Sequence, residues 1–148
     1  MDWFPVFLSI KVALIASIIA FLIGTPLARL FHKKDFFAKD FLEALLLLPL
    51  VLPPSVLGYG LLMFLGTNSF LGAFLADMGI QVIFTVTAAI IAASIVALPL
   101  FYQSAKAAFA GVDENLESAA LTLGASPKRV FMTISLPLAW PGLMAGWV

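Results

Sequence analysis

Residues 44–76 read ALLLLPLVLPPSVLGYGLLMFLGTNSFLGAFLA, 33 positions in succession without a charged side chain. Three further uncharged runs accompany them, 12–28, 78–105 and 130–148, of 17, 28 and 19 residues. The four runs hold 97 of the 148 residues, and only 11% of the chain is charged against 63% hydrophobic. Soluble domains carry about a quarter charged residues, so a water-soluble globular fold is excluded. Disordered, collagen-like and disulfide-stapled classes fall on the same count. Eight basic and eight acidic residues balance to zero net charge, which argues against a nucleic-acid partner. No cysteine is present, so thiol nucleophiles and cysteine-held metals are impossible.

A helix needs about 20 mainly apolar residues to cross about 30 Å of hydrocarbon. Spans are expected at about 6–30, 41–65 and 80–105, with Lys11 close enough to the interface to snorkel. A fourth apolar run starts near Leu136 and has thirteen residues to Val148, about 20 Å of helix, so 136–148 reads as an incomplete span. The expected fold class is therefore all-α: a polytopic helical membrane protein with three full transmembrane helices and the start of a fourth. The first span reads as a mature helix, because Asp2 stands where a signal peptide has a basic region and the apolar stretch is too long.

Segment 29–39 carries Arg29, Lys33, Lys34 and Lys39; segment 66–79 has no Lys or Arg; segment 106–129 carries Lys106, Lys128 and Arg129. By the positive-inside rule, loops 29–40 and 106–135 are cytoplasmic, the loop around Asn68 is external and the N-terminus lies outside.

An ionisable residue at mid-span would mark a functional site by its expense. This chain has none there. Glu43 and Lys106 lie at span edges, and the lone His32 reads as a solvated residue of the basic loop. An intramembrane enzyme would need an acid, thiol or metal cluster that is missing, so no catalytic, cofactor-binding or metal-binding residue is assigned. Pro49, Pro53 and Pro54 interrupt the second span, each removing a hydrogen bond and crowding the turn before it. A kinked helix follows, with Pro54, Ser55 and Tyr59 facing either a pathway or a packing partner. Pro99 is expected to kink the third span, whose Ala88, Ala89, Ala92, Ala93 and Ala97 form a close-packing stripe.

Loop 106–135 has a pattern of its own: helix, turn, helix. Asp113 is placed to cap a first helix with Glu114 and Glu117 in its opening turn. Leu116, Ala119, Ala120 and Leu123 follow at helical spacing, and Gly124 supplies the left-handed residue that ends it. Ser126-Pro127 reads as the cap and first residue of a second helix. Taken alone, this is an interfacial connector, a helix packed on its own chain, or a docking element.

Ser118-Ala119-Ala120, three residues, Gly124, nine residues and Ile134-Ser135-Leu136-Pro137 resemble the EAA loop of bacterial ABC-importer permeases. That pattern reads E-A-A, three residues, G, nine residues, I-x-L-P. The acidic position holds Ser118, and Glu117 stands one residue earlier. LPLVLPPSVLGY at 48–59 and AGVDENLESAALTLGASP at 110–127 are similar to the molybdate-type members of the same group. The resemblance implies a type I ABC-importer permease fold over 1–148 and an inner-membrane location. It also implies a pathway formed as a homodimer with a second permease copy, and an extracytoplasmic oxyanion-binding protein as partner. The loop helix would couple to separate cytoplasmic ABC ATPase subunits through Ser118, Ala119, Ala120 and Gly124, with Glu117 as substitute acid. Pro54, Ser55 and Tyr59 become pathway candidates. No cofactor is expected in this chain, because the Gly-x4-Gly-Lys-Ser/Thr phosphate loop is missing and ATP would sit on the ATPase. Sulfate, tungstate or another solute is the alternative cargo, and a non-transporting membrane scaffold the alternative role. The resemblance further implies that helices follow Pro137, so the chain is expected to be the N-terminal part of a longer permease, unable to transport alone.

Overall fold

A computed structural model describes residues 3–66, 69–79 and 82–147. The expected start of the third span at Ile80, the fourth run's end at Val148 and the external position Asn68 lie outside the described residues. Every regular element among the described residues is a helix. Helix α1 spans Phe4–Lys33, α2 Lys39–Val51, α3 Pro54–Leu65, α4 Phe70–Asp77, α5 Val86–Ala110 and α6 Glu114–Thr122. Helix α7, Pro127–Val130, runs through a π-helical turn, Phe131–Ser135, into α8, Leu136–Trp147.

Three helices are long and apolar enough to cross a membrane: α1, α5 and the continuous rod Pro127–Trp147. Helices α1 and α5 fall on the first and third expected spans, and the bent pair α2–α3, apolar enough to make a fourth if it counts as one span, falls on the second. The stretch 41–65 is not one kinked helix. It breaks at Leu52-Pro53 into α2 and α3, which meet at a bend of 115°. Proline pushes the residue before it out of the helical region. With Pro53 and Pro54 adjacent, both Leu52 (ψ 136°) and Pro53 (ψ 141°) are extended. Pro26, Pro49 and Pro99, each alone, sit inside α1, α2 and α5 without ending them.

The apolar run from Leu136 is continuous with the helical turns before it. The rod begins at Pro127 and has 21 residues. Pro137 has no N–H for the carbonyl one turn back and crowds it; the helix accommodates this by widening into the π-helical turn and continues. Segment 66–79, expected as plain loop, holds α4. Ser69 begins it, its hydroxyl accepting from Gly72 N at 2.9 Å and donating to Phe64 O at 2.6 Å.

The core lies where α1 and α8 pack on α5. Helix α1 buries Ala16, Ala20, Gly24 and Ala28 at four-residue intervals, then Phe31. Small residues in one helical row let two backbones approach closely. A Cβ on Gly24 would stand 2.5 Å from Phe101, one on Gly142 2.6 Å from the Ala108 Cβ, and one on Gly146 2.4 Å from the Ser104 Cβ. Phe101, Tyr102, Ala105 and Phe109 of α5 complete this core with Ala139 and Leu143 of α8. Of the alanine stripe at 88–97, only Ala97 packs against this core. Ala88, Ala92, Ala93 and Ala97 are half-buried, Ala89 is exposed, and they line grooves shared with α3.

Candidate functional site

The expected caps of the loop helix are formed. Asp113 accepts from Asn115 N at 2.9 Å. At the other end Gly124, at φ +86°, donates to Leu121 O (3.0 Å), and Ala125 N donates to Ala120 O (3.1 Å). This pair of bonds, with a left-handed glycine between, is the Schellman closure of a helix. Ser126 then accepts from Arg129 N at 3.4 Å and opens α7. Helix α6 is thus a separate nine-residue unit, turned away from the rod that follows it.

Its two faces are chemically distinct. Ser118, Ala119 and Gly124 are exposed and Ala120 is half-buried; Leu116 is 48% and Leu123 88% exposed. The apolar stripe therefore points outward, with open space around Gly124. Glu117, a quarter-turn away, is the one buried residue of the helix, 3% exposed. The residue expected as the substitute acid of the loop thus has its side chain turned into the protein. The cause is the cations that wait there.

Arg29, in the last turns of α1, donates through Nη2 to Glu117 Oε1 at 2.8 Å and to Ser135 Oγ at 3.1 Å. Ser135 Oγ donates to the same carboxylate oxygen, and Lys33 Nζ pairs with Oε2. The Arg29 guanidinium lies between two rings, 5.6 Å from the Phe109 centroid and 5.5 Å from that of Phe131, a favourable arrangement for a cation. Burial by itself would raise the Glu117 carboxyl. The hydrogen bonds from Lys33, Ser135 and Arg29 outweigh it and bring the group down to about 2. Three segments meet on one carboxylate: the end of α1, α6 and the π-helical turn.

Sequence reasoning counted Arg29 and Lys33 only as loop charges, and gave Ser135 no part. The available signal was an Arg at the edge of a 17-residue apolar run, a place where a cation is held by a partner or the interface. A second ion pair, Lys106 to Glu43, ties α5 to α2. The pathway candidates are elsewhere. Pro54 opens α3 and lines an apolar groove against Ala92, Ala93 and Ala97; Ser55 is exposed and Tyr59 is 64% exposed, neither lining that groove. Among the described residues no group of His, Cys, Asp or Glu is disposed to hold a metal ion.

A capped, outward-facing loop helix set between apolar rods, followed by I-S-L-P, is the arrangement that the family comparison decides. Residues 20–148 match the binding-protein-dependent transport system inner membrane component family. The chain belongs to that family. It is a multi-pass membrane protein of the inner-membrane class. YvgM of Bacillus subtilis (strain 168) is 46% identical over 143 residues, 96% of this chain and 63% of that protein. The molybdenum transport system permease protein ModB of Escherichia coli (strain K12) is 43% identical over 148 residues, 99% of this chain and 65% of its own length. The molybdate/tungstate transport system permease protein WtpB of Thermococcus kodakarensis is 37% identical over 139 residues, 93% of this chain and 51% of its own. The chain thus spans less than two thirds of the length of these family members.

Proposed function

We propose that this chain is the permease portion of an ATP-driven importer whose cargo is the oxyanion molybdate. The observation that carries the reading is the outward apolar face of α6, Leu116, Ala119 and Leu123, in a chain 43% identical to a molybdenum transport permease. Exposed leucines beside alanine and glycine make a low surface on which a second, water-soluble protein can close. That protein would be the ATPase, docking on Ser118, Ala119, Ala120 and Gly124 and supplying all ATP chemistry. The chain itself performs no enzymatic step.

The remaining parts of the proposal follow from charge placement and the family. Loops 29–40 and 106–135 face the cytoplasm and the N-terminus lies outside. Two copies enclose the pathway, with Pro54 at the start of α3, and Ser55 and Tyr59 near it, as its lining, and an external oxyanion-binding protein delivers the cargo. No fixed charge stands at mid-span, which suits passage, because a tightly held anion would not leave. Tungstate is the second cargo, favoured by the 37% identity to a molybdate/tungstate permease.

The test is uptake of radiolabelled molybdate by cells lacking their own molybdate importer and expressing this protein with its partner subunits. ATP-dependent uptake, competed by tungstate more than by sulfate, is the expected result. Uptake that survives Leu123→Asp with the ATPase still bound would sink the docking assignment. Sulfate competing best would reassign the cargo.

A further inference from the structure

Helix α6 is unusual in what attaches it to the molecule. A loop helix normally docks by burying an apolar stripe. Here Leu116, Leu121 and Leu123 are all exposed, and the single buried residue of the helix is a carboxylate. Apolar burial is partial here, with Leu116 and Leu121 still 48% and 45% exposed. The one fully buried attachment of the helix is Glu117.

The bonds of Glu117 go to two different helices. Both carboxylate oxygens are used, Oε2 by Lys33 of α1 and Oε1 by Arg29 of α1 together with Ser135 of the π-helical turn. Arg29 closes the triangle by its own bond to Ser135 at 3.1 Å. A buried carboxylate has no water to replace a lost partner, so removing one partner is strongly unfavourable and the cluster is held in one arrangement. The π-helical turn it grips is the one irregular stretch of the Pro127–Trp147 rod, the kind of place where helices bend and functional sites recur.

We propose that Glu117 is the positioning residue of the loop helix, fixing α6 at once to the end of α1 and to the root of α8. A push on the outward face of α6 then moves both helices together instead of rocking α6 on its loops. The role rests on the reading of α6 as the ATPase-docking helix, and concerns the residue whose side chain lies on its inward face.

The test uses the intact protein in lipid nanodiscs and compares Glu117→Gln with Glu117→Asp and Ser135→Ala, a milder change should the first fail to fold. Amide hydrogen exchange at 118–123 is expected to quicken by about tenfold or more in Glu117→Gln, with Glu117→Asp restoring part of the protection and α5 unchanged. Unaltered exchange at 118–123 in Glu117→Gln and Ser135→Ala overturns the proposal and leaves the docking assignment standing. In the assembled transporter, ATP hydrolysed per solute imported is expected to rise at least several-fold. Loosened α6 with hydrolysis and uptake falling in step would instead overturn the coupling reading of α6, and this role with it.

Discussion

Helix α1 makes two kinds of contact along one continuous rod. From Ala16 to Ala28 it presents small residues every fourth position and lies close against α5, with Gly24 under Phe101. One turn further, Arg29 and Lys33 hold a buried carboxylate of α6. The first contact works by shape and is indifferent to charge. The second works by charge and touches a helix whose apolar side chains face away. Shape complementarity inside a bilayer suits a permanent interface, since lipid offers no drive to expel apolar groups. An ionic hold can be strong in place and still be released by a change of partner or protonation.

The contrast can be broken from the charged side with the largest effect. Arg29→Met leaves Glu117 buried with one cation fewer but still held by Lys33 and Ser135, and should cost up to about 3 kcal/mol of α6 docking, read as lost amide protection at 118–123. Acid should do the same without mutation. Glu117 sits at about 2 against an ordinary 4.5, so its stabilisation is complete above pH 4.5 and fades as pH falls toward 2. The whole effect is about 3 kcal/mol, and α6 protection should fall across that window while the α1–α5 packing holds.

On the shape side, Gly142→Val places a branched side chain where Ala108 Cβ already stands 2.6 Å away. Overpacking of this kind costs about 1–3 kcal/mol, measurable as a lower unfolding temperature in detergent, with α6 exchange unmoved. Gly124→Ala puts a side chain at φ +86° and should cost about 1 kcal/mol, seen as fraying of the last turn of α6. The smallest effect on stability belongs to Leu123→Ser at a site 88% exposed, within about 0.5 kcal/mol. Its consequence should appear in ATPase co-purification, which is expected to drop; unchanged co-purification would remove Leu123 from the docking face.

Much of the local structure was legible in the chain. Asp113, Gly124 and Ser126-Pro127 end and start helices through bonds to residues two to five positions away, and such contacts depend on no other part of the fold. The membrane class was legible because a 33-residue uncharged run has few other physical explanations. The α1 row Ala16, Ala20, Gly24, Ala28 was equally visible as a four-residue repeat, yet the richer alanine content of 88–97 drew attention instead. Composition marked small residues in both places; only the arrangement of helices decided which row is buried in the core.

Sequence alone settled that this is a helical membrane protein, that its loop carries a capped helix, and that proline pairs fall at 53–54. Tertiary structure decided three things that local chemistry could not. It split the second apolar segment at a 115° bend, where a kink and a break share one sequence signature. It carried the rod Pro127–Trp147 through Pro137 by way of a π-helical turn. And it turned Glu117 inward. Arg29 and Ser135 lie 88 and 18 positions from Glu117 in the chain, so no local pattern relates them. A carboxylate's side of a helix is set by where its counter-charges lie in space, and that is a property of the packed molecule.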